Sequence, residues 1–187
     1  EEWSSYGQGI QIHLLGHSMG GLISLRLLQK YENLRFKSAT LSAPLLGLNF
    51  EVPFVKRITG HALSRILGGV QLSTGVDAKL ISHDEQVVTA YQNDHLVHGK
   101  ATARFFTELL IAMKMARTNK QLSVPILFLI PMEDGMVNSQ VTLEFADQLI
   151  QADKSVVKYD SFFHESFNEI EKERAFSDLS AWILKHS

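Results

Sequence analysis

Ser18 combines the residue type and the surroundings that nucleophilic catalysis requires. It stands in the pentapeptide Gly16-His17-Ser18-Met19-Gly20, after a short apolar run and before leucines at helical spacing. A strand, a tight glycine turn and a helix in this order predict a nucleophile elbow, which holds the serine hydroxyl clear of a sheet. The other interpretation is a glycine-rich turn that only closes the fold or binds a phosphate. We predict that Ser18 is a nucleophile.

The segments that follow the last two apolar runs each supply one partner for this serine. A serine nucleophile needs a general base, and the base needs an orienting carboxylate. Asp134 follows the apolar run at residues 126–130, and His164 follows the run at residues 155–159. Catalytic groups of parallel sheets lie at the carboxyl ends of strands, so both positions fit. The amide of Met19, at the start of the helix, is the predicted oxyanion donor.

The acid and the base each have alternatives. Asp134 is preferred to Glu133 as the acid because Gly135 suits a tight turn at that point. Asp160 is a second rival, since it lies close to His164 in the sequence. His164 itself could be a solvated loop histidine, but the two aromatic residues before it can dock its loop and fix the ring. We therefore predict Asp134 as the acid and His164 as the base.

Short apolar runs alternate with helical patterns over most of the chain. This alternation predicts an α/β fold with a mostly parallel sheet. The run at residues 126–130 is the most apolar and predicts a strand that is covered on both faces. Helix faces are predicted from Leu22, Leu25 and Leu28, from Val141, Phe145 and Leu149, and from Phe176, Leu179 and Ile183; strands are predicted at residues 10–15, 37–42, 126–130 and 155–159.

Residues 45–120 break this alternation, because they contain no clear strand pattern. Helical spacing predicts helices at Phe54–Leu67, about Asp84–Tyr91 and Ala101–Ala116, separated by glycines. We therefore predict an inserted, mostly helical block at 45–120. It divides a core of residues 1–44, with the nucleophile, from a core of residues 121–187, with the acid and the histidine.

Composition excludes several classes of function. The chain has 187 residues, 45% hydrophobic and 20% charged, which is ordinary for a soluble globular domain. A net charge of −2 gives no electrostatic case for nucleic acid, and the absence of cysteine excludes disulfides and thiolate metal sites. Asp94, His95 and His98 only superficially resemble a metal cluster. We predict no metal and no cofactor.

Several motifs run in order along the whole chain. They are Gly16-His17-Ser18-Met19-Gly20-Gly21, Leu41-Ser42-Ala43-Pro44, Val124-Pro125-Ile126-Leu127, Glu133-Asp134-Gly135-Met136-Val137 and the loop that ends in His164. Together they resemble the monoacylglycerol lipase and bacterial lysophospholipase group of α/β-hydrolases. The resemblance implies the α/β-hydrolase fold with a helical cap at residues 45–120 and a Ser18, Asp134 and His164 triad. It also implies a serine hydrolase that cleaves a carboxylic ester of a fatty-acyl lipid through an acyl-enzyme.

The resemblance also implies that the cap lines an acyl tunnel and rests on membranes. Residues 54–67 form a basic amphipathic stretch, which suits contact with lipid or, alternatively, the packing of a lid on the core. His17, Phe54 and Ile58 are the predicted substrate-binding residues. We expect a small lipid ester as substrate, peripheral membrane contact through the cap, and a cytoplasmic or peripheral-membrane location. The sequence contains no run of eighteen apolar residues, so it predicts no membrane-spanning segment.

Two other functions remain open at this point. The same triad serves esterases, thioesterases and peptidases that act on smaller acyl groups, and a hydrolase-like fold can be a binding module without catalysis.

The start of the chain departs from the family pattern. The family carries a His-Gly loop upstream of the nucleophile, whereas Ser18 has only seventeen residues before it and His98-Gly99 lies downstream. We therefore expect that the first third of the fold is missing and that residues 10–15 form an exposed edge strand. Made alone, the chain should be poorly soluble or less active. Its first residues do not resemble a signal peptide.

Overall fold

The structure is a computed structural model that describes residues 10–31, 33–49, 69–74, 76–150 and 153–187. Its elements are β1 (Ile12–His17), α1 (Met19–Lys30), β2 (Phe36–Ser42), β3 (Gln71–Ser73), a 3-10 turn (Ala78–Leu80), α2 (Glu85–Asn93), β4 (Lys100–Thr102), α3 (Ala103–Thr118), β5 (Ile126–Pro131), α4 (Ser139–Gln148), β6 (Lys154–Tyr159) and α5 (Lys172–Lys185). None of the described helices has the length and the apolarity that crossing a membrane requires.

The main sheet has four strands in the order β1, β2, β5 and β6, and all three pairings are parallel. The predicted parallel sheet is therefore confirmed. His17 at the end of β1 pairs with Ser42 at the end of β2, and Pro131 at the end of β5 pairs with Tyr159 at the end of β6. Because these ends lie along one edge, the segments that follow all four strands meet there.

The sheet is covered on both faces. Every residue of β5 is buried, as its apolar run predicts. Phe128 belongs to the larger core cluster, which includes Leu22, Leu25 and Leu28 of α1. Leu127 and Leu129 pack instead with Trp182 of α5 in a second cluster, since neighbouring strand residues point to opposite faces. Each large apolar side chain buried in this way contributes about 1.5–3 kcal/mol.

Two expectations about secondary structure were wrong. Residues 45–120 do contain strands, because β3 and β4 pair as an antiparallel ribbon. Each has only three residues, which is too short to show the alternation that predicts a strand. In α5 the buried residues are Ala175 and Trp182, whereas Phe176 of the predicted face is 43% exposed. Apolar spacing placed the start of that face one residue too late, at Phe176 instead of Ala175.

Two of the three helices expected in this block are present as α2 and α3, and the third, Phe54–Leu67, lies outside the described residues. Helix α3 packs against α1 and contributes Met113 and Ala116 to the main core. The side-chain amide of Gln29 in α1 donates hydrogen bonds to the carbonyls of Ala116 and Asn119. The last helix of the block therefore packs on α1 and shares the main core. The division into core and cap remains a prediction.

Candidate active site

The nucleophile turn (residues 16–20) places Ser18 between β1 and α1 in a strained conformation. Its φ is 51° and its ψ is −118°, a region that non-glycine residues occupy at a cost of about 1–3 kcal/mol. Backbone hydrogen bonds hold it there. The Ser18 amide donates to the Ser42 carbonyl at 2.9 Å, and its own carbonyl accepts from Leu22 and Leu45 at 3.1 and 3.0 Å. Three elements therefore fix the position of the serine.

Close approach of backbone explains the first glycine of the turn. A Cβ on Gly16 would lie 2.4 Å from the Ser24 hydroxyl oxygen and 2.6 Å from the Gly20 carbonyl oxygen. Helix α1 begins at Met19 with no acidic residue in its first turn and no side-chain cap from Ser18. The first amides of a helix have no carbonyl partner within it, and the role of the Met19 amide as an oxyanion donor remains a prediction.

The acid loop (residues 132–138) holds Asp134 largely through its own backbone. Asp134 is 4% exposed, and its Oδ1 accepts hydrogen bonds from the amides of Met136 and Val137 at 2.8 and 2.9 Å. Its carbonyl accepts from the side-chain amide of Asn49 at 2.9 Å. Glu133, the rival acid, is exposed. The loop thus turns Asp134 inward and leaves Oδ2 free for another partner.

That partner is His164, in the histidine loop (residues 160–171). Its Nδ1–H donates to Asp134 Oδ2 at 2.6 Å, and the residue is 2% exposed. Because Nδ1 is taken, Nε2 is the ring nitrogen left for proton exchange with a substrate or a nucleophile. The second rival, Asp160, is exposed, and the histidine bonds Asp134 instead. An acid and a base thirty residues apart are therefore joined as the sequence suggested.

Gly135 lies in the bend after Asp134, and its lack of a side chain also leaves room for Leu80. A Cβ there would lie 2.9 Å from Leu80 Cδ2. The carbonyl of Leu80 also accepts the His164 amide at 3.4 Å. The 3-10 turn at Ala78–Leu80 therefore contacts both loops, and glycine gives it room.

Two aromatic residues dock the histidine loop, as predicted. Phe162 is 2% exposed and stacks on Tyr159 at the end of β6, with 4.5 Å between the ring centroids. Phe163 stacks on the imidazole of His83 at 3.6 Å. The first contact ties the loop to the sheet, and the second ties it to a segment eighty residues earlier in the chain.

A buried carboxylate that sequence reasoning missed completes the anchoring of this loop. Glu169 is 2% exposed and accepts hydrogen bonds from the Phe163 amide at 2.8 Å and from His83 Nδ1 at 2.9 Å. It also accepts from the amides of Ile170 and His83 at 3.1 and 3.3 Å. No local signal separates Glu169 from the other acids of its stretch, which are all compatible with a solvated loop.

His17 is the link between the nucleophile turn and the histidine loop. Its Nε2 lies 3.1 Å from Glu165 Oε1, its Nδ1 lies 3.3 Å from the Ser42 hydroxyl, and its ring centroid is 4.8 Å from that of His164. Both ring nitrogens are thus engaged within the protein. A substrate contact by His17 remains a prediction, and Phe54 and Ile58 lie outside the described residues.

The histidines at 95 and 98 do not form a cluster with other ligands in the structure. His95 is 90% exposed in its side chain and lies 3.9 Å from Asp94. Across the described ranges, no group of three or more His, Asp and Glu side chains is placed to hold a metal ion.

Comparison with known proteins places the chain among hydrolases. The profile of the Hydrolase_4 family, described as "Serine aminopeptidase, S33", matches residues 2–171. Phospholipase YtpA of Bacillus subtilis is 30% identical over 175 residues, which are 92% of this chain and 68% of that protein. A monoacylglycerol lipase of Mycolicibacterium smegmatis is 28% identical over 92% of this chain and 62% of its own length. The chain thus spans about two thirds of these relatives.

Solved structures share the same architecture. A monoacylglycerol lipase from Paleococcus ferrophilus superposes with a TM-score of 0.88 and 26% identity, covering 96% of this chain and 70% of that one. A soluble variant of monoglyceride lipase from Saccharomyces cerevisiae, in complex with a substrate analog, gives 0.83 and 22% identity, over 96% and 63% of the two chains. The matched profile, the parallel sheet and these superpositions agree, and the chain belongs to the Hydrolase_4 family of α/β-hydrolases.

Proposed function

We propose that the protein is a serine hydrolase that cleaves carboxylic esters of fatty-acyl lipids, such as monoacylglycerol or lysophospholipid. Ser18 Oγ attacks the acyl carbonyl carbon while His164 Nε2 takes the hydroxyl proton. Asp134 holds the imidazole and stabilises its charged form, and the Met19 amide donates to the oxyanion. Collapse of the intermediate expels the alcohol, which takes the proton from His164. Water then attacks the acyl-enzyme with the same assistance and releases the fatty acid.

One observation carries this proposal. The 2.6 Å hydrogen bond from His164 to Asp134 is buried, and the His164 ring lies 4.8 Å from that of His17, the residue before a serine whose backbone is held at positive φ. A strained serine, an oriented imidazole and a buried carboxylate from three separate loops have no common structural purpose. Nucleophilic acyl transfer requires all three together.

The lipid ester is supported by the comparisons rather than by the geometry. The relatives include a phospholipase and a monoacylglycerol lipase. The fold neighbours include a further monoacylglycerol lipase and a monoglyceride lipase. Their alignments cover over nine tenths of this chain. A fatty-acyl substrate is therefore preferred to a smaller acyl group, although the family is described as a serine aminopeptidase.

Covalent labelling tests the nucleophile in the natural full-length protein. A fluorophosphonate probe should label the wild type, and the Ser18→Ala variant should show no label. Ser177→Ala is a control and should be labelled like the wild type, because Ser177 is an exposed serine in α5. Labelling of Ser18→Ala at the wild-type level would contradict the proposal.

A chain-length series tests the substrate. Turnover of monoacylglycerols and lysophospholipids should rise with acyl length and exceed that of acetyl esters, acyl thioesters and aminoacyl amides. Preference for one of the short or nitrogen-containing substrates would favour an esterase, thioesterase or peptidase. No turnover of any ester by a protein that also escapes labelling would indicate a binding module.

We further propose that residues of the predicted cap contact a lipid surface. Leu96 is 76% exposed, and Val97 and Phe105 are 38% and 45% exposed in the same stretch as the cation Lys100. Apolar side chains flanked by basic groups suit the interface of an anionic bilayer. The basic stretch at residues 54–67, which prompted this expectation, lies outside the described residues.

Vesicle flotation tests this contact. With vesicles of phosphatidylcholine and phosphatidylglycerol, Leu96→Glu should reduce bound protein severalfold while turnover of a soluble ester stays at the wild-type level. Leu184→Glu is the matched control, since Leu184 is 75% exposed but lies in α5. Equal effects of the two substitutions would show that the cap has no special role.

A further inference from the structure

One hydrogen bond joins the two segments that carry the proposed catalytic pair. His17 is the residue before Ser18, and Glu165 is the residue after His164. Their side chains meet at 3.1 Å, across a separation of 148 residues. The residue next to Ser18 is therefore bonded directly to the residue next to His164.

Both ends of this link are themselves held in place. The His17 ring receives a second contact from the Ser42 hydroxyl at 3.3 Å, and Ser42 is fully buried in β2. On the other side, the Glu165 amide donates to the Ile81 carbonyl at 2.8 Å, and its Oε2 accepts from Asn168 at 3.1 Å. The link thus connects two anchored groups, because neither side chain can swing freely.

The carboxylate is ionised in this setting. Burial would raise the pKa of Glu165, but the hydrogen bonds from His17 and Asn168 hold it below its usual range. Its side chain is 28% exposed, as is that of His17. In the neutral tautomer, His17 donates from Nε2 to Glu165 and accepts at Nδ1 from the serine hydroxyl, so every group has a partner of the right kind.

The catalytic pair needs such a link because its members come from different loops. The Ser18 backbone bonds β2, α1 and Leu45, whereas the His164 amide has a long 3.4 Å bond to the Leu80 carbonyl. The Asp134 bond orients the imidazole about its Nδ1 but does not set its distance from the serine. A displacement of about 1 Å between reacting groups can cost about a hundredfold in rate.

We propose that the hydrogen bond between His17 and Glu165 is a brace that keeps Ser18 and His164 in register, and that Glu165 is a positioning residue. The proposal rests on the assignment of these two residues as nucleophile and base. Glu165 acts only through His17 and does not touch the substrate. Its removal should therefore lower kcat and leave KM nearly unchanged.

Three substitutions in the full-length protein separate the brace from a simple loss of charge. Glu165→Ala removes the acceptor, and we expect kcat to fall by about ten- to a hundredfold with KM within about threefold. Glu165→Gln keeps an oxygen that can accept from His17, and kcat should fall less than about fivefold. Glu171→Gln removes the same charge from a side chain that is 59% exposed and bonded to Arg174, and it should match the wild type.

A double-mutant cycle identifies the partner. If Glu165 acts through His17, the variant with both His17→Phe and Glu165→Ala should be no slower than the worse single variant. Multiplied losses would mean that the two residues act separately and would overturn the proposal. An equal loss of kcat in Glu165→Gln and Glu165→Ala would also overturn the proposal, because the charge alone would then explain the effect.

A measurement without substrate keeps the brace distinct from the proposed function. The His164 Nδ1 proton, in its short bond to Asp134, should give a far-downfield proton resonance in NMR spectra. This resonance should persist in Glu165→Gln and broaden by exchange in Glu165→Ala. A sharp, unshifted resonance in Glu165→Ala would overturn the brace. A protein that hydrolyses no ester yet shows the expected broadening would overturn only the proposed function.

Discussion

The acid loop and the histidine loop follow neighbouring strands of one sheet, but they are held in different ways. Asp134 is fixed by amides two and three residues further along its own loop. The histidine loop is fixed by distant groups, since its backbone bonds Leu80 and Ile81 and its buried Glu169 bonds His83. The Asp134 carboxylate is thus oriented by amides of its own turn, although its loop is also bonded to Gly47 and Asn49, whereas the histidine loop is held by distant groups.

This difference teaches where the site can be disturbed. A change in the acid loop acts on the carboxylate directly, because Asp134 is itself part of the turn that holds it. A change at residues 80–83 acts on the histidine from a segment that carries no chemistry itself. The segment belongs to the predicted cap, so a shift of that region would reach the histidine loop through its backbone hydrogen bonds and the acid loop only through the packing of Leu80 on Gly135.

Asp134→Asn should have the largest effect. The asparagine oxygen can still accept from Met136 and Val137, so the turn survives, but its amide group would face His164 Nδ1 with a donor. The imidazole then loses its acceptor and its orientation, and kcat should fall by about ten thousandfold. Steady-state turnover of a soluble chromogenic ester by the full-length protein measures this. A loss below tenfold would remove Asp134 from the proposed triad.

The same variant tests whether the turn that holds Asp134 keeps its structure without the bond to His164. Its midpoint of thermal unfolding should stay within a few degrees of the wild type, since the local hydrogen bonds remain. A large loss of stability would show that the acid loop depends on His164 as much as His164 depends on it, which would contradict the comparison.

Glu169→Ala should have the next largest effect, and it should act through the histidine loop. Loss of the carboxylate leaves the buried amide of Phe163 and the ring of His83 without their acceptor. We expect the free energy of unfolding to fall by about 3 kcal/mol, with a loss of turnover. Urea denaturation of the full-length protein measures the first quantity.

Glu173→Ala is the control for this change. Glu173 is an exposed acid in the first turn of α5, and its removal should change the free energy of unfolding by no more than about 0.5 kcal/mol. If both substitutions cost the same, the buried network around Glu169 would not be what holds the loop.

Gly135→Ala should have the smallest effect of the three and should test the point where the two loops share a neighbour. The new Cβ would lie 2.9 Å from Leu80 Cδ2, which must shift by a few tenths of an ångström. We expect a cost of about 1 kcal/mol, measured by urea denaturation. Gly99→Ala is the control, since its nearest neighbour is 3.8 Å away. A cost no larger than the control's would mean that Leu80 yields freely.

The sequence predicted the parts of the molecule in which burial or turn chemistry is repeated along the chain. Leu22, Leu25 and Leu28 mark the buried face of α1, and the apolar run of β5 is buried at every position. These patterns repeat over several residues, so they stand out from the background. The ribbon of β3 and β4 was missed because three-residue strands have no pattern to repeat.

The site residues that the sequence did not predict were missed for a different reason. Glu165 and Glu169 look like ordinary loop carboxylates in a polar segment. Their partners, His17 and His83, are 148 and 86 residues away in the sequence. Nothing local distinguishes a solvated acid from one that a distant histidine will meet.

By itself, the sequence determined which chemistry the chain can offer and in what order its parts follow. A strand, a glycine turn and a helix position Ser18 locally, and turn amides position Asp134 in the same way. Only the tertiary structure decided how the histidine loop is held, because His17, Leu80 and His83 reach it from distant parts of the chain. Hydrogen bonds of the turn depend on neighbours along the chain, whereas register between loops depends on how the sheet brings their ends together.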